Sequence, residues 1–213
     1  MVLRLADRLD VPLRERNAWL RTAGFAPLYR DGALDGPALQ SVQALLDAHL
    51  PYPALAVDRH WQLVAANALL PLLLQGVAED LLAPPLNVLR VALHPCGLAP
   101  RLRNLPAWRE HVLARLRRQA RVTGDTTLLR LHDELLALGP APRPGQDQDH
   151  AAPDVIALPL ELATGEGVLR LTGTVTVFGA PHDIALSELA LETFLPADAA
   201  TAAALRRLHA SQG

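Results

Sequence analysis

The stretch IALPLELATGEGVLRLTGTVTVF (156–178) decides the fold class of this chain. Apolar residues occupy every second position from 156 to 162 and, except at 173, from 169 to 177. This spacing is typical of β-strands that bury one face. The intervening TGEG (164–167) predicts a tight turn, so the stretch predicts an antiparallel hairpin. A third strand is expected over DIALSELALETF (183–194), with a bulge where the alternation changes phase.

Elsewhere the periodicity is mostly helical. Two short strands are expected within ALAVDRHWQLVAAN (54–67), and the proline-rich segment 139–154 predicts a loop. The helices are expected over 2–9, 13–23, 37–50, 68–75, 86–94, 105–122, 126–138 and 199–210. Asn67, Asp125 and Asp198 are placed to cap three of them. Strands at both ends with helices between them predict an α+β fold, a five-stranded antiparallel sheet with helices on one face.

The composition narrows the class of protein. The 213 residues are 50% hydrophobic and 20% charged, which is typical of one or two globular domains. A net charge of −2 argues against electrostatic nucleic-acid binding by the chain as a whole. The single cysteine, Cys96, excludes an intrachain disulfide. Because no signal peptide or membrane-spanning stretch is recognisable, a cytoplasmic location is expected, without a membrane partner.

Motifs for catalysis are absent from the sequence. None of the three serines lies in G-x-S-x-G, and there is no H-E-x-x-H, P-loop or G-x-G-x-x-G. We therefore expect no enzymatic activity, no catalytic residues and no metal site. Arg90 and His94 lie four residues apart on one predicted helix, so together they could hold a ligand carboxylate. The alternatives are that His94 caps the helix end, and that Arg90 points outward or pairs with Glu79 or Asp80.

Apolar volume is the other feature that bears on function. Leucine-rich helices that face a leucine- and valine-rich sheet form either a filled core or a lipid-shaped cavity, and the sequence leaves both open. From the alternation and the helical spacing, ten residues are expected to be mostly buried and several to line one cavity. They are Leu55, Val57, Leu63, Leu70, Leu74, Leu89, Leu158, Leu160, Leu171 and Leu186.

Several segments resemble the MmyB-like transcription regulators of actinomycetes, in which an XRE-type helix-turn-helix domain precedes a PAS-like ligand-binding domain. They are LADRLDVPLRERNAWLRTAGFAP (5–27), YPALAVDRHWQLVAAN (52–67), NVLRVALHPCGLAPRLRN (87–104), RLRRQARVTGDTTLLRLHDEL (115–135) and FGAPHDIALSELALETFLPADAATAAALRRL (178–208). The chain departs from the family pattern at Asn104-Leu105, where the family usually has Asn-Trp. Trp108 is the candidate for the local aromatic anchor.

The resemblance implies two regions. Residues 1–29 would be the C-terminal remnant of a helix-turn-helix domain, and residues 37–213 a PAS-like ligand-binding domain. The helices that read DNA would lie upstream, so this chain alone is not expected to bind DNA specifically. No cofactor is expected apart from a bound fatty acid or other lipid-like ligand between sheet and helices, and a homodimer is possible. The competing hypothesis is a dimerisation or interaction module with a filled core and no ligand.

Overall fold

The computed structural model describes residues 1–139, 158–179, 181 and 183–211. Five antiparallel strands form one sheet in the order β2-β1-β5-β4-β3. The strands are β1 Ala54–Val57, β2 Leu63–Ala66, β3 Leu160–Thr164, β4 Gly167–Val177 and β5 Ala190–Pro196. The predicted hairpin is β3–β4, joined at Thr164 and Gly167. The predicted fold class, α+β with a five-stranded antiparallel sheet, is confirmed.

Helices connect and flank the strands. In the described residues they are α1 Val2–Arg8, α2 Leu13–Thr22, α3 Gly36–Asp47, α4 Leu69–Leu73, α5 Glu79–Leu82, α6 Val88–Leu93, α7 Leu105–Thr123, α8 Thr126–Ala137, α9 Ile184–Ser187 and α10 Ala199–Ala210, with a 3₁₀ turn at Ala99–Arg101. The caps expected at Asp125 and Asp198 are present, since each carboxylate accepts a backbone N–H from the first turn of its helix. The cap expected at Asn67 is displaced by one residue, since the N-cap residue of α4 is Ala68, although Asn67 Oδ1 still accepts the backbone N–H of Leu69 at 3.3 Å.

The main core lies between the inner face of the sheet and helices α6, α7 and α8. Leu55 and Val57 of β1 face Leu116 of α7 and Leu135 of α8, and all four are buried. The α7 helix ends at Gly124, which has φ of +65° and turns the chain directly into α8. The apolar stripes predicted for these two helices therefore face each other and the sheet.

Helix α3 lies on the face of the sheet opposite to α6, α7 and α8. Helices therefore cover both faces of β1, whereas the sequence predicted helices on one face only. Its Val42 and Leu46 pack on Ala54 and Ala56, the β1 residues that alternate with Leu55 and Val57. All four β1 residues are apolar and buried, so β1 has no face suited to solvent. The small alanine side chains leave room for a helix to lie close to the strand.

The expected continuous strand over 183–194 is wrong. Residues Ile184–Ser187 form a single helical turn, α9, and β5 begins only at Ala190. The Asp183 carboxylate accepts the backbone N–H of Leu186 at 2.7 Å, and this cap stabilises the turn. What looked like a bulge in one strand is the junction between a helical turn and a strand. Residue 156 and most of the expected loop 139–154 lie outside the described residues.

Candidate functional site

A cavity of about 100 Å³ lies between the inner face of the sheet and helices α4, α6 and α7. The sheet contributes Leu55, Leu160, Leu162, Leu171, Glu192 and Phe194. The helices contribute Leu70, Leu73, Val88, Leu89, Val91, Ala92, Trp108 and Val112, and the connecting segments Pro53, Leu74, Leu86, Leu98 and Leu102. Since about 10–15 Å³ is enough to hold one water molecule, the cavity has room for a ligand fragment of several atoms.

Local contacts hold the segments around the cavity in place. Asn87 caps α6 by accepting the backbone N–H groups of Leu89 and Arg90, both at 3.1 Å. The loop after α6 folds back so closely that a Cβ at Gly97 would overlap the Val91 carbonyl group. Arg101 donates to the carbonyl oxygens of Leu73 and Ala163, at 3.0 and 3.1 Å, and so joins the end of α4 to β3. The walls of the cavity are therefore held by hydrogen bonds as well as by apolar packing.

Glu192 is the one ionisable side chain among the described residues that line the cavity. It lies on β5 opposite Leu55 of β1 and Val175 of β4, and only 12% of its side chain is exposed. Burial raises the pKa of its carboxyl group above the ordinary value, and the guanidinium of Arg115 offsets part of that effect. Nη1 of Arg115 lies 2.9 Å from Glu192 Oε1, but the contact does not have the geometry of a hydrogen bond.

Arg115 itself is fixed outside the cavity. Its guanidinium carbon lies 4.4 Å from the centroid of the Trp61 ring, within the range of a cation–π interaction. The indole N–H of Trp61 donates to Gln119 at 2.8 Å, so the ring is anchored on α7. Arg115 is therefore placed to balance the charge of Glu192 without entering the cavity.

Trp108 is the second described residue of the lining that has a polar side-chain atom. Its ring stacks on His111, with the centroids 5.8 Å apart. Its Nε1 is buried and has no hydrogen-bond partner within the part of the chain that the structure describes. The cavity lining thus combines apolar side chains with Trp108 and Glu192, the two described lining residues that carry a polar side-chain atom.

Comparison with protein families identifies the domain that carries this cavity. Residues 39–208 match the family described as the MmyB-like transcription regulator ligand binding domain. The chain belongs to this family. The match extends from α3 to α10 and includes every residue of the cavity lining. No curated protein matches the chain.

Six residues predicted to form the pocket of this ligand-binding domain do line the cavity. They are Leu55, Leu70, Leu74, Leu89, Leu160 and Leu171. The alternation of apolar residues along the strands and their helical spacing were sufficient to find these six residues, because both patterns indicate which side of an element faces the core. Whether they contact a ligand stays a prediction.

Four predicted apolar residues of the domain lie away from the cavity. Val57 is buried in the main core and Leu63 packs against that core. Leu158 is half-buried in the segment before β3. Leu186 lies in α9 and packs against the cluster on the opposite face of the sheet, so its expected place beside the pocket is wrong. The helical turn at 184–187 explains that error, because it rotates Leu186 out of the register of β5.

The expectation that Arg90 faces the pocket is also wrong. Its side chain pairs on the outside with Glu134 of α8, with Nε and Nη2 donating at 2.6 and 2.8 Å. The suggested alternative of an outward Arg90 is therefore correct, although its partner is neither Glu79 nor Asp80. His94 is the C-cap residue of α6, and its Nδ1 accepts the backbone N–H of Cys96 at 3.0 Å. It does not line the cavity, so neither residue is placed to hold a ligand carboxylate there.

Glu192 and Trp108 are the polar cavity residues that sequence reasoning missed. In the strand pattern Leu189, Leu191 and Leu195 mark one apolar face, which leaves Glu192 on the face that looked exposed. The structure shows that both faces of β5 are covered, with Leu191 facing α3 and Phe194 facing the cavity. The signal that was available is the alternation of Glu192 with Phe194, an aromatic residue on the supposed solvent face.

Among the described residues, no three histidine, cysteine or acidic side chains are grouped so that they could hold a metal ion. Within the same residues, no helix has the length and apolar character needed to cross a bilayer.

Proposed function

We propose that the cavity binds a small apolar molecule that resembles a fatty acid in its hydrocarbon chain, and that this binding regulates a transcription regulator. The observation that carries the proposal is an apolar cavity of about 100 Å³ inside a domain of a ligand-binding family. Protein interiors are usually packed with few voids larger than a water molecule. An engineered protein cavity of about 150 Å³ that is lined by leucine, isoleucine and phenylalanine binds benzene, so an apolar lining of this kind can hold an apolar ligand.

The competing function is an interaction module with a filled core. The cavity favours the ligand-binding function, because its leucines and valines come from the sheet and from three separate helices and still leave space between them. A ligand would fill that space and gain the contacts that the lining side chains lack. Native mass spectrometry distinguishes the two functions, since a lipid-sized adduct supports ligand binding and a ligand-free dimer supports the interaction module.

The same proposal assigns a role to the N-terminal helices and to the rest of the chain. Helices α1 and α2 precede the residues that match the ligand-binding family, and we assign residues 1–29 to a helix-turn-helix unit. Residues 37–213 would form the sensing domain. DNA contact by the whole regulator would then be made outside the sensing domain, and ligand binding would shift the relative populations of two arrangements of these parts.

Leu171→Trp tests the proposal directly. Leu171 is 1% exposed and lines the cavity, so an indole ring at this position should occupy the space of the ligand. We expect binding of decanoate and 1-decanol, measured by calorimetry, to weaken at least about tenfold. If the space is available, the free energy of unfolding should fall by only about 1–3 kcal/mol.

Leu195→Trp is the matched control, because Leu195 lies on β5 but on the other face, and is 39% exposed. It should leave binding unchanged. The proposal fails if the wild-type protein binds neither probe. It also fails if Leu171→Trp unfolds the domain while Leu195→Trp does not, since the region would then be a packed core.

A further inference from the structure

The two polar side chains that line the cavity, Glu192 and Trp108, constrain the polar group of the ligand. Glu192 Oε1 is buried and lacks a hydrogen bond, although Arg115 lies beside it. The ion pair with Arg115 leaves this oxygen without a well-directed donor, so a ligand that supplies one gains a charge-assisted hydrogen bond. The cavity therefore favours a ligand with an O–H or N–H group.

Trp108 constrains the same ligand from another side of the cavity. Its indole nitrogen is a donor only, and within the described residues no acceptor is placed to receive its hydrogen. A ligand that supplies an acceptor there satisfies the buried N–H. The ligand should thus both donate and accept hydrogen bonds.

A carboxylate meets only half of this requirement. It accepts hydrogen bonds but cannot donate one, and its charge has the same sign as that of ionised Glu192. No arginine or histidine among the described residues lines the cavity to compensate, because Arg90 pairs outside with Glu134 and Arg115 is held between Glu192 and Trp61. An ammonium group has the opposite defect, since it donates but cannot accept from Trp108.

We propose that the ligand is a neutral molecule with an apolar chain and hydroxyl groups, such as a long-chain alcohol or a hydroxylated lipid. Its hydroxyl groups would donate to Glu192 Oε1 and accept from Trp108 Nε1. This proposal rests on the proposed function, because it assumes that the cavity is the ligand site. It assigns the specificity of the site to Glu192 and Trp108. Leu55, Leu89 and Leu171 then contact the chain without distinguishing one polar group from another.

The test compares three probes with the same chain, namely 1-decanol, decanoate and decylamine. Each is titrated calorimetrically at about pH 7.5, where an unperturbed carboxyl group is ionised, and below the concentration at which it forms micelles. The wild-type protein should bind 1-decanol at least about tenfold more tightly than decanoate, the range expected for one buried charge-assisted hydrogen bond.

Two variants separate the roles of the polar groups. Glu192→Gln removes the charge but keeps the shape, so the preference for 1-decanol over decanoate should fall about tenfold. Trp108→Phe removes the N–H donor, so it should weaken 1-decanol and decanoate together and leave decylamine unchanged. Glu166→Gln, in the exposed β3–β4 turn, and Trp19→Phe, on α2, are the matched controls and should change none of the three affinities.

The outcomes separate failure of the hydroxyl assignment from failure of the proposed ligand-binding function. Tighter binding of decanoate, unaffected by Glu192→Gln, would overturn the hydroxyl assignment but leave a ligand site in the cavity. Decylamine as the tightest probe would also overturn it, in favour of a cationic ligand. If none of the three probes binds, the proposed function itself is wrong. If Glu192→Gln does not fold, the preference of the wild-type protein for 1-decanol over decanoate still tests the hydroxyl assignment, and Trp108→Phe still tests the hydrogen bond from Nε1.

Discussion

The Glu192 carboxyl group is buried beside apolar side chains, so its ionisation costs stability. Burial raises its pKa, and the folded state therefore binds a proton more tightly than the unfolded state. The stabilisation that protonation provides is fully present below the unfolded pKa and is lost as the pH rises through the higher folded pKa. A residue that reduces stability at neutral pH is typical of a binding site, where function and stability compete.

We therefore expect Glu192→Gln to be at least as stable as the wild type at about pH 7.5, because the substitution removes a carboxyl group whose ionisation burial makes unfavourable. The difference between the two proteins should shrink at about pH 4, where an ordinary glutamate is largely protonated. Urea denaturation at both pH values measures it, with Glu166→Gln as the control. A loss of more than about 1 kcal/mol that does not change with pH would contradict this account.

At the scale of single elements, the start of α8 is stabilised by one carboxylate. Asp125 accepts the backbone N–H of Thr127 at 2.8 Å and contacts His60 Nε2, in the turn between β1 and β2, at 2.8 Å. Partial burial raises the pKa of Asp125, but the hydrogen bonds with His60 and Thr127 outweigh it and the net shift is downward. Its contribution to stability is therefore present above the unfolded pKa and lost as the pH falls through the lower folded pKa.

Asp125→Ala should lower the free energy of unfolding by about 1–2 kcal/mol at neutral pH, as the loss of an N-cap does. The effect should shrink as the pH falls through the lowered pKa of the wild-type carboxyl group, because a protonated Asp125 no longer caps as a carboxylate. Urea denaturation followed by circular dichroism measures both values. Asp133→Ala is the control on the same helix, because 79% of the Asp133 side chain is exposed. Equal effects of the two substitutions would show that Asp125 does not act as the cap.

The elements that could be predicted are those whose own residues decide their structure. Capping carboxylates marked the starts of α8 and α10, and the alternation around Leu169 and Leu171 marked β4, because these signals act over a few residues. The α9 turn was missed because the residues 184–187 fit a strand and a helical turn equally well. The choice depends on the hydrogen bond from Leu186 N to Asp183 and on the bond from Ile184 N to Arg30 O at 3.0 Å, which is a contact between distant segments.

For the whole molecule, the sheet and its apolar residues could be predicted, but the cavity could not. A cavity of about 100 Å³ depends on how far α4, α6 and α7 lie from the sheet, and a leucine on a helix face does not report that distance. The burial of Glu192 depends in turn on α3, which packs on the outer face of the sheet, so that Glu192 lies on the inner face. Both features arise from packing between elements, which the periodicity of a single element does not encode.

Strand β5 also connects the cavity with the N-terminal helices. Glu192 lies on β5, and Glu188 lies four residues earlier, just after α9. The Glu188 carboxylate accepts from Arg14 Nε and Nη2 of α2, at 2.7 and 2.9 Å. Arg14 also contacts Asp31 at 2.8 Å. A shift of β5 on ligand binding would therefore reach α2 through one bidentate ion pair, a physical route for coupling the two regions.

Glu188→Gln tests this coupling, because it weakens the ion pair with Arg14 and leaves the cavity lining intact. In the wild type, we expect 1-decanol to change the rate of amide hydrogen exchange in α2. In Glu188→Gln that ligand-dependent change should disappear, while the affinity for 1-decanol stays within about threefold. As a control, Asp35→Asn removes the exposed pair with Arg30 and should preserve the change. If exchange in α2 is the same with and without 1-decanol in the wild type, ligand binding does not reach the N-terminal helices through β5, and the signal must leave the domain by another surface.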